Sequence, residues 1–285
     1  MSVLKGRLQD SSLWMKLLLF LLLMILCGGL VMSVIILCPH INLKLLQFLQ
    51  TLAVFCVPSV LAAYLFSPHP FEYLYLKSAP SGYIFLLVVF LMIAALPFVN
   101  LLGWVNQQLH LPAFLSSLEA LMLQQEEAAN ALLASFLDVD NFLALIVNLI
   151  VMALVPAISE ELCFRATLYN IFSNNRSKHA AIWVCAVIFS AVHLQFLGFV
   201  PRMLMGALFG YLLLYSNSLW LPIAAHLTNN FSVVALYYVF KSLGKDVDAL
   251  DTLGTGDTLW LGILSAVLTI AMLYVVFREL KKNKR

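Results

Sequence analysis

Eight stretches of mainly apolar residues recur along the chain, at 14–38, 45–66, 82–103, 142–163, 180–197, 199–216, 218–240 and 258–277. A helix that crosses a bilayer needs about 20 such residues. Backbone that enters lipid must satisfy its own hydrogen bonds, so these runs are expected to be helical. The predicted fold is all-α, a polytopic membrane helix bundle with about eight transmembrane helices. Composition agrees: 63% of residues are hydrophobic and 11% charged, against about half and about a quarter in a soluble domain. The formal charge of +2 is too small to point to a nucleic acid, so none is expected as a partner.

The first run follows Lys5, Arg7 and Lys16, as in a signal peptide. From Leu17 to Cys38 it is longer than the about 7–15 residues of a cleavable apolar region, and is read as a retained helix. Leu115–Leu137 has a helical pattern but carries Glu119, Glu126 and Glu127. It is expected to be amphipathic, outside the bilayer or on its surface. The five cysteines, Cys27, Cys38, Cys56, Cys163 and Cys185, show no CxxC spacing and read as small apolar residues.

Basic residues set the orientation. Lys5 and Arg7, Lys77, Arg176 and Lys178, and the tail Arg278, Lys281, Lys282, Lys284 and Arg285 fall on one side if there are eight spans. The acidic 104–140 and 241–257 segments fall on the other. Both termini are therefore expected in the cytoplasm. The chain divides into N-terminal helices with the acidic segment (1–141), a helical core (142–240), and a last helix with a basic tail (241–285).

Ionisable side chains within spans are costly and call for a function. Glu160 and Glu161 stand side by side at the end of the fourth run, with Arg165 one turn on. Residues four apart share a helix face, so Glu161 and Arg165 are expected to pair. Glu160 points about 100° away and is free to face a cavity. Pro156 cannot donate to the carbonyl of Met152, which is expected to loosen the helix there. Phe189 and His193 share a face on the fifth run, and His226 and Asn230 on the seventh, with Asn229 one step round. Polar faces on neighbouring spans are expected to converge. Gly206 and Gly210 form a GxxxG on the sixth run, read as close packing within the chain.

Glu160-Glu161-xxx-Arg165, Phe189-xxx-His193 and His226-xxx-Asn230 resemble, in order, the three motifs of the CPBP (CAAX protease and bacteriocin-processing, or Abi) intramembrane proteases. The resemblance covers about 142–240; Ala166 stands where many members have glycine. It implies an endopeptidase acting on a membrane-associated protein or peptide. Glu160 and His193 would hold and deprotonate water, His226 and Asn230 would stabilise the oxyanion, and Glu161 and Arg165 would fix the geometry, with Phe189 and Asn229 in support. There is no Ser-His-Asp set, HExxH or GxSxG, so glutamate with histidine has to activate the water, as base or as metal ligands. Glu160, His193 and His226 also make a plausible zinc set; the metal-free reading is preferred and no cofactor is firmly expected. The alternatives are a proton-coupled transporter, against which no repeated halves are seen, and a non-catalytic scaffold or immunity protein. The expected surroundings are a lipid bilayer, that of a bacterial inner membrane. Substrate identity and oligomeric state are not legible.

Overall fold

The computed structural model describes residues 4–38, 40–173 and 177–282. Arg176, Lys284 and Arg285, used for the orientation, lie outside the described residues. The described chain is helical with no strand. Leaving out turns of three or four residues, its helices are α1 (Leu13–Leu37), α2 (Leu43–Phe66), α3 (Gly82–Gln107), α4 (Ser116–Leu137), α5 (Phe142–Ser173), α6 (Lys178–Ala191), α7 (Phe199–Ser216), α8 (Trp220–Ser242) and α9 (Leu259–Lys282).

Six helices among the described residues are long and apolar enough to cross a membrane, and they include α1, α2, α3, α5 and α9; the sixth is α7 with the turn before it. The other two expected spans differ from expectation. α6 has only 14 residues and stops at Ala191, short of the expected 197. α8 is long enough, but the polar run from His226 to Asn230 lowers its apolarity and it is not among the six. α5, conversely, runs past the expected 163 to Ser173.

Prolines explain two irregularities. Pro58 and Pro156 each sit just after a π-helical turn, Leu52–Cys56 in α2 and Leu149–Leu154 in α5. A proline lacks the N–H that would close the regular ladder, and a wider turn absorbs the mismatch without ending the helix. Pro201 and Pro222 fall in the first turns of α7 and α8, where the amide proton has no helical partner anyway.

Two apolar clusters share α7. One joins Phe20, Phe66, Phe164, Ile171, Ile182 and Leu213, from α1, α2, α5, α6 and α7. The other joins Val88, Leu91, Phe209, Leu212, Leu221 and Val276, from α3, α7, α8 and α9. Gly210 lets α6 approach: a β-carbon there would stand 2.7 Å from Ile182 Cγ2. The GxxxG is thus a packing face within the chain. Cys163 and Cys185 are buried, as small apolar residues should be, whereas Cys38 at the end of α1 is exposed. In α5, every residue from Leu162 to Leu168 is buried, Arg165 included. The charged motif therefore lies at the centre of the protein.

Candidate active site

The site is built around α5, where Glu161 and Arg165 are paired as the four-residue spacing requires. Arg165 Nη1 donates to Glu161 Oε1 at 2.8 Å, with side-chain exposures of 2% and 0%. The guanidinium lies over the Phe189 ring at 4.2 Å, near Phe209 at 5.2 Å and Phe164 at 5.9 Å. Its other nitrogen, Nη2, donates to the carbonyl of Gly206 at 3.3 Å. A weakly hydrated, planar cation with aromatic faces and acceptors around it tolerates burial that an ammonium would not.

Glu161 has a second partner that helix geometry could not reveal. His226 Nδ1 lies 2.8 Å from the same oxygen, Oε1. A carboxylate oxygen only accepts, so Nδ1–H donates and Nε2 is turned the other way. That nitrogen is 3.9 Å from Glu160 Oε2. Glu161 thus holds one edge of the imidazole while Glu160 lies beyond hydrogen-bond distance of the other and is the less committed of the two, with its side chain 12% exposed. The ring of Phe209 stacks on His226 at 5.3 Å and that of Phe189 meets it edge-on at 5.9 Å.

His193 lies beyond the end of α6 and not within a span. Its ring still packs on Phe189, at 5.1 Å, and its Nδ1 is 2.7 Å from the Phe189 carbonyl. That oxygen accepts, so Nδ1 carries the proton and Nε2 of the neutral ring is left to accept one. Phe189 touches both histidines and Arg165, and so stands between the three motifs.

Asn230 Nδ2 donates to the Met152 carbonyl at 3.4 Å, the group that Pro156 cannot serve. The loosened turn of α5 is thereby tied to α8. Asn229 Nδ2 donates to Asn230 Oδ1 at 3.2 Å and orients that amide. Among the described residues no three His, Cys, Asp or Glu side chains are grouped so as to hold a metal ion. Cavities of about 320 and 250 Å³ flank Lys16, and neither is lined by the motif residues.

Three side chains that hold this arrangement, those of Ser190, Arg202 and Asn106, escaped sequence reasoning, and Gly206 of the GxxxG serves the site as well as the packing. Gly206 has no β-carbon because one would stand 3.1 Å from the Phe189 ring and 3.2 Å from Arg165 Nη2. Ser190 Oγ donates to the Phe199 carbonyl at 2.7 Å, tying α6 to α7. Arg202 donates to Gln195 at 3.0 and 3.1 Å, and Asn106 to Phe196 and Leu197. Only Arg202 carried a usable signal, as an ionisable residue inside an apolar run.

Residues 142–232 match the family model described as type II CAAX prenyl endopeptidase Rce1-like. The match spans about a third of the chain and contains all three motifs. It agrees with the resemblance read from the motifs. Comparison with curated proteins and with solved structures finds no match.

Proposed function

We propose that this protein is an intramembrane endopeptidase that hydrolyses a peptide bond in a membrane-associated protein or peptide, with water activated by Glu160 and His193. The observation that carries the reading is the unequal treatment of two adjacent carboxylates. Glu161 is spent on Arg165 and His226, while Glu160 keeps its oxygens for chemistry.

In this mechanism Glu160 takes a proton from water held against His193 Nε2, and the hydroxide attacks the scissile carbonyl carbon. The oxyanion accepts from the second amide proton of Asn230 and from Nε2–H of His226 when that ring, anchored through Nδ1 on Glu161, carries both protons. Protonated Glu160 then delivers its proton to the leaving amine as the C–N bond breaks. Oriented donors at the developing charge and a base within reach are what such a reaction needs. No step is routed through a metal, and we assign no cofactor. The eight-span topology with both termini in the cytoplasm of a bacterial inner membrane remains our reading of the loop charges. A lipid-modified C-terminal peptide, as the name of the matched family suggests, is the substrate class to try first.

The test is cleavage of an internally quenched farnesylated CAAX peptide in proteoliposomes. Glu160→Gln should abolish it. Equal rates for wild type and Glu160→Gln would refute the assignment.

A further inference from the structure

The turn that carries His193 is strained and held from three sides. Leu194 adopts φ 55°, the left-handed region that side chains with a β-carbon avoid. Such backbone persists where the surroundings over-determine it. Asn106 of α3 donates to the carbonyls of Phe196 and Leu197, each at 2.8 Å, and accepts from the Val200 N–H at 3.0 Å. Glu126 of α4 accepts from the Leu197 N–H at 3.3 Å. Arg202 of α7 donates to the Gln195 carbonyl at 3.1 Å and to its side-chain oxygen at 3.0 Å. The guanidinium rests against Gly198, where a β-carbon would stand 3.2 Å from Nη2.

Two of these residues carry charge into a place that explains them only in part. Glu126 is buried on a helix whose neighbour Glu127 is exposed. Arg202 is within electrostatic reach of Glu126, Glu160 and His193. A planar fork that grips backbone and side chain of one residue fixes a turn in a way a point charge does not.

We propose that Arg202 is a further positioning residue of the site. It holds the His193 turn through Gln195, with Glu126 of α4 as its counter-charge, so that the amphipathic helix is fastened to the catalytic turn. The inference rests on the reading of Glu160 and His193 as the water-activating pair.

The test compares wild type with Arg202→Gln, Arg202→Lys, Gln195→Ala and Glu160→Gln, using the same farnesylated peptide in proteoliposomes. Arg202→Gln should lower kcat by about tenfold or more with KM within about twofold, since misplacing a base costs rate and not binding. Arg202→Lys should recover part of that loss. Where Arg202→Gln fails to fold, Gln195→Ala takes its place and should lower kcat with KM unchanged. Hydrogen exchange of the 192–198 amides should rise in Arg202→Gln or Gln195→Ala, a readout that needs no cleaved peptide. Unchanged exchange, or wild-type kcat in Gln195→Ala or in folded Arg202→Gln, overturns the inference. If Glu160→Gln is inactive while these variants keep full rate, the positioning role falls and the catalytic reading stands. If Glu160→Gln cleaves normally, the catalytic reading itself falls.

Discussion

Arg165→Met tests whether the central ion pair is structural in the way its burial implies. The side chains of Arg165 and Glu161 are 2% and 0% exposed, and their contact is 2.8 Å. At a charge separation of about 4 Å and an effective dielectric constant of about 20, the attraction is about 4 kcal/mol. Removing one partner leaves the other charge buried, which typically costs about 3–5 kcal/mol. The two partners should not be equivalent. Without Arg165, Glu161 keeps only His226, and its Oε2 is already without a hydrogen-bond partner. Without the charge of Glu161, Arg165 keeps the Gly206 carbonyl and three aromatic rings, and desolvated cation–π contacts return about 2 kcal/mol. Arg165→Met should therefore lose about 3–5 kcal/mol and Glu161→Gln about half of that. The double variant should lose clearly less than the sum, because the pair acts as a unit. Unfolding in mixed detergent micelles, followed by tryptophan fluorescence, measures all three. If Arg165→Met falls within about 1 kcal/mol of wild type, the pair contributes little and the argument fails. If Glu161→Gln is the more damaging, the rings do not shelter the arginine as argued.

Four further outcomes are expected. Glu160→Gln should unfold within about 1 kcal/mol of wild type while losing turnover, because its one ion-pair contact is at 3.9 Å; a large stability loss would assign it a structural role. Gly206→Ala should cost about 1–3 kcal/mol by overpacking and should also lower kcat, since the new methyl meets both Phe189 and Arg165; paired thermal and kinetic assays check this. Asn106→Leu should destabilise by more than about 2 kcal/mol, because it strands two carbonyls and an N–H at once; unfolding at wild-type denaturant concentration would contradict it. Cleavage should fall as pH is lowered, since a carboxylate base works only when ionised; a rate flat from about pH 4 to about pH 8 speaks against a Glu/His base.

Residue spacing carried what one helix decides. Glu161 with Arg165 follows from the four-residue repeat, and the Met152 carbonyl left free by Pro156 follows from proline chemistry. Most apolar runs became helices near their expected bounds, because in lipid the backbone has little alternative. The ends were less legible. Nothing in Phe189–His193 says that α6 stops at Ala191, since the stop is made by Leu194 in a left-handed conformation that sequence does not favour. Which helix faces meet was also hidden. Spacing puts His226 and Asn230 on one face of α8 and expects polar faces to converge, but it does not say that His226 Nδ1 is the atom bound across the bundle by Glu161.

The acidic helix α4 shows the same limit. Glu119 and Glu126 are seven residues apart, so they fall on one face and read alike as solvated charge. Glu119 does behave so, pairing with exposed His110 at 2.9 Å. Glu126, two turns on, is buried against the Leu197 amide because the turn after His193 rises to meet it there. The difference lies in neither residue nor its neighbours in sequence, but in where α7 begins. A carboxylate that caps an inward-facing turn is held by that turn's N–H, and the counter-charge proposed for it, Arg202, stands on α7; both lie outside its own helix. The feature to look for in such chains is therefore a pair: an acid on the surface helix matched by a lone arginine inside an apolar run.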